Sequence, residues 1–267
     1  KPTHPELLDW LAVDFQQNDW DLKEMLRLLV HSRTFRQESA WRGSVDDPTN
    51  LLLARGPSYR LDAEVLRDIG LWASGLLSPH MGGAGVKPYQ PDGMWKALAH
   101  PGSNTKQYVR DKGELLYRRS LYVYWKRTSP HPMMTLFDAP DRESSCVQRQ
   151  RTNTGLQSLG LLNETQRVEM GRVLAERLLL EAESDQARVN LLFKLLASRD
   201  ATAVEQQSIA NLANNLRTRY AESEDDARAL LATGDAEQNE DLDPTDHAVW
   251  TLIAVTILAS DPAILIY

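Results

Sequence analysis

The stretch that most limits the fold is Ala248 to Ala259, the longest apolar run, interrupted only by Thr251 and Thr256, inside a helix expected from Asp246 to Ser260. The pair Asp243-Pro244 supplies its start signal. A helix that is apolar on every face has no side to turn to water, so it must lie at the centre of other helices. The run is too short to cross a bilayer, which takes roughly 20 residues, so no membrane span is expected. The sequence therefore calls for a mainly α architecture built round one buried helix.

The rest of the second half, residues 151–267, supplies the surround. Asn163 with Gln166 reads as a capping box that opens a helix to about Glu183, with Val168, Val173, Leu174 and Leu178 as its stripe. Asp185 to Ser198 carries Val189, Leu192, Phe193 and Leu196 at helical spacing. Thr202 with Glu205 caps a further helix along Ile209, Leu212, Leu216 and Tyr220. Ser223 opens a short one, with Gly234 as its C-terminal glycine.

Residues 1–150 are looser. Thr3-His4-Pro5-Glu6 reads as a capping box before a stripe of Leu7, Leu8, Leu11 and Phe15. A second helix, about Asp21 to Ser32, puts Leu22, Met25, Leu26 and Leu29 on one face, with His31 at its C-terminal end, where a cation suits the dipole. A third begins near Asp62 and carries Val65, Leu66, Ile69, Trp72 and Leu76. Ser39 to Ser58 and Ser78 to Ser103 read as loops, save a short helix at Met94 to Ala99 with Trp95 inside. Met81-Gly82-Gly83-Ala84-Gly85 reads as a flexible loop, because it lacks the Lys-Ser/Thr of a phosphate loop. Leu121 to Trp125, aromatic and β-branched, suits a strand-like or mixed segment. The expectation is one irregular multi-helix domain over residues 1–267, with long loops and at most a small strand element.

Charge excludes one class of partner. The net charge of −7 argues against a nucleic-acid binder, which needs a basic face. Its distribution is uneven: Lys106 to Arg151 holds ten Lys and Arg against five Asp and Glu, while Asp200 to Asp246 holds three against twelve. Cys146 is the lone cysteine, so no internal disulfide, Cys-based zinc site or covalently attached haem is available within the chain. No cofactor is expected in this chain. Lys1-Pro2-Thr3 leads straight into a helix, so the chain is expected to start in mid-protein.

The densest run of hydrogen-bonding groups is Arg149-Gln150-Arg151-Thr152-Asn153-Thr154-Gly155-Leu156-Gln157. Arg149 and Arg151, with Thr152, Asn153, Thr154 and Gln157, suit bidentate capture of a carboxylate or sulfate, helped by the N–H groups of a helix starting near Leu156. The structural reading is that Thr154 or Asn153 caps that helix while the arginines pair with Asp138, Asp141 or Glu143, as buried arginines in irregular loops commonly do. Asp138, Asp141 and Glu143 are also the best carboxylates for acid–base work on a sugar, which needs two carboxyls about 5–9 Å apart. Tyr117, Tyr122, Tyr124 and Trp125 beside Arg118, Arg119, Lys126 and Arg127 suit a sugar-stacking or docking face, or a core with a charged rim. Asp235, Glu237, Asn239, Asp241, Asp243 and Asp246 have the alternation of a calcium loop. Glu240 stands where glycine is needed and Asp246 where glutamate is needed, so a solvated linker is the expectation and no metal is assigned.

With these residues in view, the chain resembles a planctomycete-specific domain of unknown function, number 1553. The segments that carry the resemblance are Thr3-His4-Pro5-Glu6-Leu7-Leu8-Asp9-Trp10, Leu53-Ala54-Arg55-Gly56-Pro57, Arg60-Leu61-Asp62-Ala63-Glu64 and Lys87-Pro88-Tyr89-Gln90-Pro91. Leu116-Tyr117-Arg118-Arg119-Ser120-Leu121-Tyr122, Phe137-Asp138-Ala139-Pro140 and Arg151-Thr152-Asn153-Thr154 complete them. Two places depart from the family: Gly155 replaces a usual proline, and Ala259-Ser260-Asp261-Pro262 replaces a usual Asn-Leu-Asp-Glu run.

The resemblance implies the C-terminal part of a large exported bacterial protein, periplasmic or at the cell surface. It implies upstream domains of the same polypeptide as partners, among them a c-type cytochrome domain, and a polysaccharide-utilisation setting. It carries over no catalytic residue. The functional expectation is a non-catalytic interaction module docking on a redox domain, or binding a sulfated or acidic polysaccharide. The alternative is a carbohydrate-active enzyme using Asp138, Asp141 or Glu143.

Overall fold

In the computed structural model, which describes residues 1–266, the apolar run lies in a helix from Pro244 to Leu258. It is α11, counting helices along the chain. Pro244 sets its first turn and the Asp243 carboxylate accepts the Asp246 N–H at 2.8 Å, so both start signals act together. Ten of its fifteen residues are buried, Trp250 and Ile253 among them.

The chain divides into two compact units, one of residues 61–264 and one of residues 1–60 with the C-terminal strand. The division falls at Arg60–Leu61, well before the change from loop-rich to helical chain near residue 150. In the larger unit α11 is surrounded by α7 (Thr165–Glu181), α8 (Asp185–Ala197), α9 (Ala203–Glu222) and α10 (Glu224–Leu231). Leu174, Leu178, Leu192, Phe193, Ile209 and Leu231 from these helices meet Val249, Ile253 and Ile257 in one core. α7 comes closest because Gly171 has no side chain: a Cβ there would run into Val255 and the Thr251 carbonyl. On its other side α7 meets α3 (Ala63–Ser74), where Met170 lies over Gly70. A second, smaller cluster joins Ala63 and Leu66 of α3 to Met134, Phe137, Val123 and Leu161. It involves the short α5 (Pro132–Leu136) and α6 (Gly155–Asn163).

Two helix starts shift. Asn163 ends α6 instead of opening α7. Glu164 is the N-cap of α7, its carboxylate accepting the Arg167 N–H at 2.9 Å, and a longer acidic side chain there replaces the Asn163–Gln166 box. At the chain start His4, not Thr3, is the N-cap of α1 (Pro5–Gln17), since the Thr3 hydroxyl is engaged by the His4 ring at 3.0 Å. The 113–128 region is mixed: 3-10 turns at Gly113–Tyr117 and Ser120–Tyr122, then a parallel bridge of Val123 to Val86. Thr202 and Glu205 form the capping box of α9 as expected, and Trp95 is buried inside the short α4 (Met94–Leu98).

The smaller unit holds α1, α2 (Leu22–His31), a loop, and β1 (Tyr59–Arg60) paired antiparallel with β2 (Leu265–Ile266). The Asp21 side chain caps α2 by accepting from the N–H groups of Lys23 and Glu24. In the loop, Asp47 is buried because its two carboxylate oxygens accept the Leu51 and Leu52 N–H groups at 2.8 Å each. Neither α1 nor α2 contains a buried residue. Among the described residues no helix is long and apolar enough to cross a membrane.

Candidate functional site

Thr154 is the N-cap of α6 and forms a capping box with Gln157, whose Oε1 accepts the Thr154 N–H at 3.1 Å. The amide of Gln157, a buried side chain, reaches onward to the Leu136 carbonyl at 2.9 Å and to the Thr152 hydroxyl at 3.0 Å. Thr152 in turn donates its N–H (2.8 Å) and its hydroxyl (2.9 Å) to Asp138. Asp138 has a left-handed backbone, φ 61°, at the turn that follows α5. The run thus ties the start of α6 to the end of α5 through one amide and one carboxylate. Asn153 lies exposed at its tip.

The arginines point to α3. Arg149 forks onto Glu64 at 2.6 and 3.1 Å and has Asp62 at 3.5 Å, while Arg151 stands 3.9 Å from Asp62. Burial pushes the Glu64 carboxyl up, but the Arg149 hydrogen bond, a backbone bond and the charges of Arg149 and Arg142 outweigh it. The group is held below the usual glutamate range. The same hydrogen bond raises Arg149. An external anion would have to compete with an internal carboxylate already bound bidentately. Beside this pair runs an open groove whose lining alternates Asp62, Glu64 and Asp68 with Arg119, Arg142 and Arg149. Arg119 is 3.9 Å from Asp68. Three carboxylates against three guanidiniums leave the groove near neutral.

The other candidates separate. Asp141 accepts the Glu143 N–H at 2.9 Å within its own loop, and Glu143 faces Arg127 at 3.5 Å. Arg118, 3% exposed, is structural: it donates to the carbonyls of His80, Gly82 and Ala84 and lies 3.9 Å over the Tyr122 ring. It therefore holds the 81–85 glycine loop that the composition alone marks as flexible. Two more rings of the aromatic group face a cation in the same way, Trp125 with Arg142 at 4.8 Å and Tyr124 with Lys87 at 5.6 Å. In the acidic stretch, Asp235 pairs with Arg110 at 2.9 Å, Asp243 caps α11, and Asp246 bonds Arg217 at 3.2 Å. Among the described residues no three metal-binding side chains converge.

The most connected polar group escaped the sequence reading. Glu169, 0% exposed in the middle of α7, accepts at one oxygen from the Tyr89 hydroxyl (3.0 Å), the Tyr117 hydroxyl (2.9 Å), Asp235 N–H (2.6 Å) and Ala236 N–H (2.8 Å). Its other oxygen has no hydrogen-bond partner among the described residues. Burial and then the Glu169 charge push both tyrosines well above their ordinary values. Gly234, at φ 92°, admits the carboxylate, since a Cβ there would strike it.

Around Glu169 sit buried arginines that donate to main-chain carbonyls: Arg67 to Leu116 and Arg118, Arg167 to Leu66 and Leu258, and Arg172 to Ala236 and Glu237. Burial pulls Arg67 and Arg167 down to about 10. The one available signal was that Gln166, Arg167, Glu169 and Arg172 crowd the first two turns of α7. Of the stripe Val168, Val173, Leu174 and Leu178, the two leucines are fully buried and the two valines only half-buried.

A family model described as PSD1, a protein of unknown function (DUF1553), matches residues 1–213. The match stops inside α9, so the central helix α11 lies beyond it. No curated protein and no solved structure matches the chain.

Proposed function

The chain belongs to the PSD1 family of proteins of unknown function (DUF1553), and from that premise we propose that it is a non-catalytic interaction module whose N-terminal unit docks on another protein surface. The observation that carries this reading is the state of α1 and α2. Both are rich in large apolar side chains, yet neither buries a single residue; Leu8 and Leu22 stay 55% and 61% exposed. Large apolar side chains left bare along two successive helices are the mark of an interface. In the exported setting that the resemblance implies, neighbouring domains of the same polypeptide, a c-type cytochrome domain among them, belong to the range of partners to be tested.

The test uses Trp10 and Trp20, which lie on this surface at 54% and 63% exposure. Their emission should move to shorter wavelength when the chain assembles with its partner. Replacing Leu22, Leu26 and Leu29 together by serine should abolish that shift while leaving the unfolding of the larger unit unchanged. A shift that survives the triple substitution would sink the reading.

A polyanionic glycan is the second reading, favoured by Arg119, Arg142 and Arg149 along one groove. It requires salt-sensitive binding of a sulfated polysaccharide that an Arg119→Ala, Arg142→Ala pair weakens. For a carbohydrate-active enzyme, Asp138, Asp141 and Glu143 would have to face one sugar. Thr152, a loop N–H and Arg127 hold them separately, which counts against that use.

A further inference from the structure

We propose that Lys87, Lys126 and Trp95 form a binding site for a small doubly charged oxyanion, a phosphate or sulfate group. Stretches distant in sequence build it. The bridge of Val86 to Val123, with the Tyr124 N–H bonded to the Val86 carbonyl at 2.7 Å, brings Lys87 beside the 123–126 segment that ends in Lys126. The short α4 presents Trp95, which is 3% exposed and has the Tyr108 ring edge-on at 4.9 Å and the Tyr124 ring at 5.7 Å. The Tyr108 hydroxyl donates to the carbonyl of Pro88, next to Lys87, so the rings and the chain that carries this lysine are fixed together.

Both ammonium groups are drawn to one ring. Lys126 Nζ lies 4.4 Å from the centre of Trp95, and Lys87 Nζ stands 6.0 Å from the same ring and 5.6 Å from Tyr124. Both side chains are half-buried, and among the described residues no carboxylate pairs with either. Asp111 accepts the Lys87 main-chain N–H at 2.7 Å and pairs with neither ammonium. An ammonium has three N–H donors. Lys126 spends one on the Thr105 carbonyl at 2.7 Å, and Lys87 spends none on a protein acceptor. The Trp95 indole N–H is a further donor, buried and without an acceptor. A ring face attracts a cation but offers no lone pair, so two positive charges and a surplus of donors stand together unanswered. A tetrahedral dianion supplies both the charge and the acceptors. A metal cation or an amine would meet two like charges, and a neutral sugar would leave both uncompensated. The site shares no residue with the α1–α2 surface or with the arginine groove, so its test stands apart from both.

The experiment follows the Trp95 indole N–H by proton–nitrogen correlation NMR of the whole chain, its signal assigned by its loss in Trp95→Phe. Sodium sulfate, sodium phosphate and a glucose sulfate ester are titrated, with sodium chloride holding the ionic strength constant. Saturable displacement of the signal by the oxyanions, and none by chloride, is the expected result. Lys87→Met and Lys126→Met keep an unbranched stem against the rings. Each should weaken binding at least about tenfold, the worth of one hydrogen bond to a charged group. The double variant should abolish binding, and Lys194→Met, a lysine of α8, should leave it unchanged.

Tighter binding of the inorganic ions assigns the site to a free ion, and tighter binding of the ester assigns it to a group carried on a sugar. A Trp95 signal that sulfate and phosphate move no further than chloride does, or binding that survives the double variant, would overturn the site. Circular dichroism checks the fold of each variant. Should a variant not fold, the contrast between oxyanions and chloride in the wild type decides alone.

Discussion

The two units use the same kind of residue in opposite ways. In the larger one, Leu71, Leu174, Leu192, Trp250 and Ile253 are wholly out of solvent. In the smaller one, leucines and tryptophans at the same helical spacing are bare, and no residue of α1 or α2 is buried. Stripe spacing is therefore no guide to which helices support themselves. The difference lies in what else each unit contains: the larger has a mostly apolar helix to surround and a set of buried polar groups that fix the surround, whereas the smaller has no such helix and, among its described residues, only Asp47 as a buried polar side chain.

The sharpest way to test that contrast is to remove the group at the centre of the polar set. Glu169→Ala leaves the hydroxyls of Tyr89 and Tyr117 and the Ala236 N–H without their acceptor in a buried site, while the Asp235 N–H keeps only the Tyr89 hydroxyl oxygen. Each unsatisfied buried donor costs about 1–3 kcal/mol, so urea unfolding should report a loss of about 3–5 kcal/mol, allowing for relaxation. A loss below about 1 kcal/mol would mean that the network adds nothing to the apolar core.

Next in size is a pH effect from a buried base of the same unit. His131, 6% exposed, makes a 2.7 Å contact to the Tyr89 carbonyl through Nε2, which assigns the proton to that nitrogen. Burial pulls it down to about 4 from an ordinary value of 6.5. Between those values the unfolded chain takes a proton that the folded chain refuses, so stability must fall as pH drops through this window. The loss is on the order of 2–3 kcal/mol at pH 4. The His131→Gln variant should have a flatter profile between pH 6.5 and 4; an unchanged slope would remove His131 as its source.

These two groups also mark what the sequence could and could not convey. The central helix was legible because apolar residues on every face of a helix allow only one environment. The α9 capping box was legible because Thr202 and Glu205 act on their own turn. Glu169, Arg67 and Arg167 were not, because a charge on a helix reads as a solvent face unless its partners are known. Those partners, Tyr89, Tyr117 and the 235–236 backbone, are distant in sequence. The Arg149–Gln157 run was legible in part. Its helix cap is local, and of Thr154 and Asn153 it is Thr154 that caps, whereas the arginines pair with Asp62 and Glu64 at the start of α3 and not with the nearer acids considered for them.

That junction gives the third and smaller effect. Arg149 is about one-third exposed, so solvent screens its pair with Glu64. Arg149→Ala should cost about 0.5–1 kcal/mol at pH 7. Because Glu64 titrates below its ordinary value when folded, the wild type's advantage is present above the ordinary glutamate range and is lost as pH falls through the folded value. The gap between variant and wild type should close in acid. A gap that persists at pH 3 would mean that Arg149 acts through packing of its stem and not through charge.

The smallest stability effect should come from the most apolar change. Leu26→Ser alters a side chain that is already 51% exposed, so little surface returns to water on unfolding. In dilute solution, where the surface is uncovered, the shift should stay within about 0.5 kcal/mol. The same substitution in the larger unit, Leu192→Ser, removes a wholly buried leucine and leaves a hydroxyl in its cavity, at a cost of several kcal/mol, roughly the 2–5 kcal/mol of a large-to-small core change. Once a docking partner covers the N-terminal surface, Leu26 should begin to matter, because covering converts it from a surface residue into a core one. A cost of Leu26→Ser that stays flat as the partner is added would show that the partner does not cover α2.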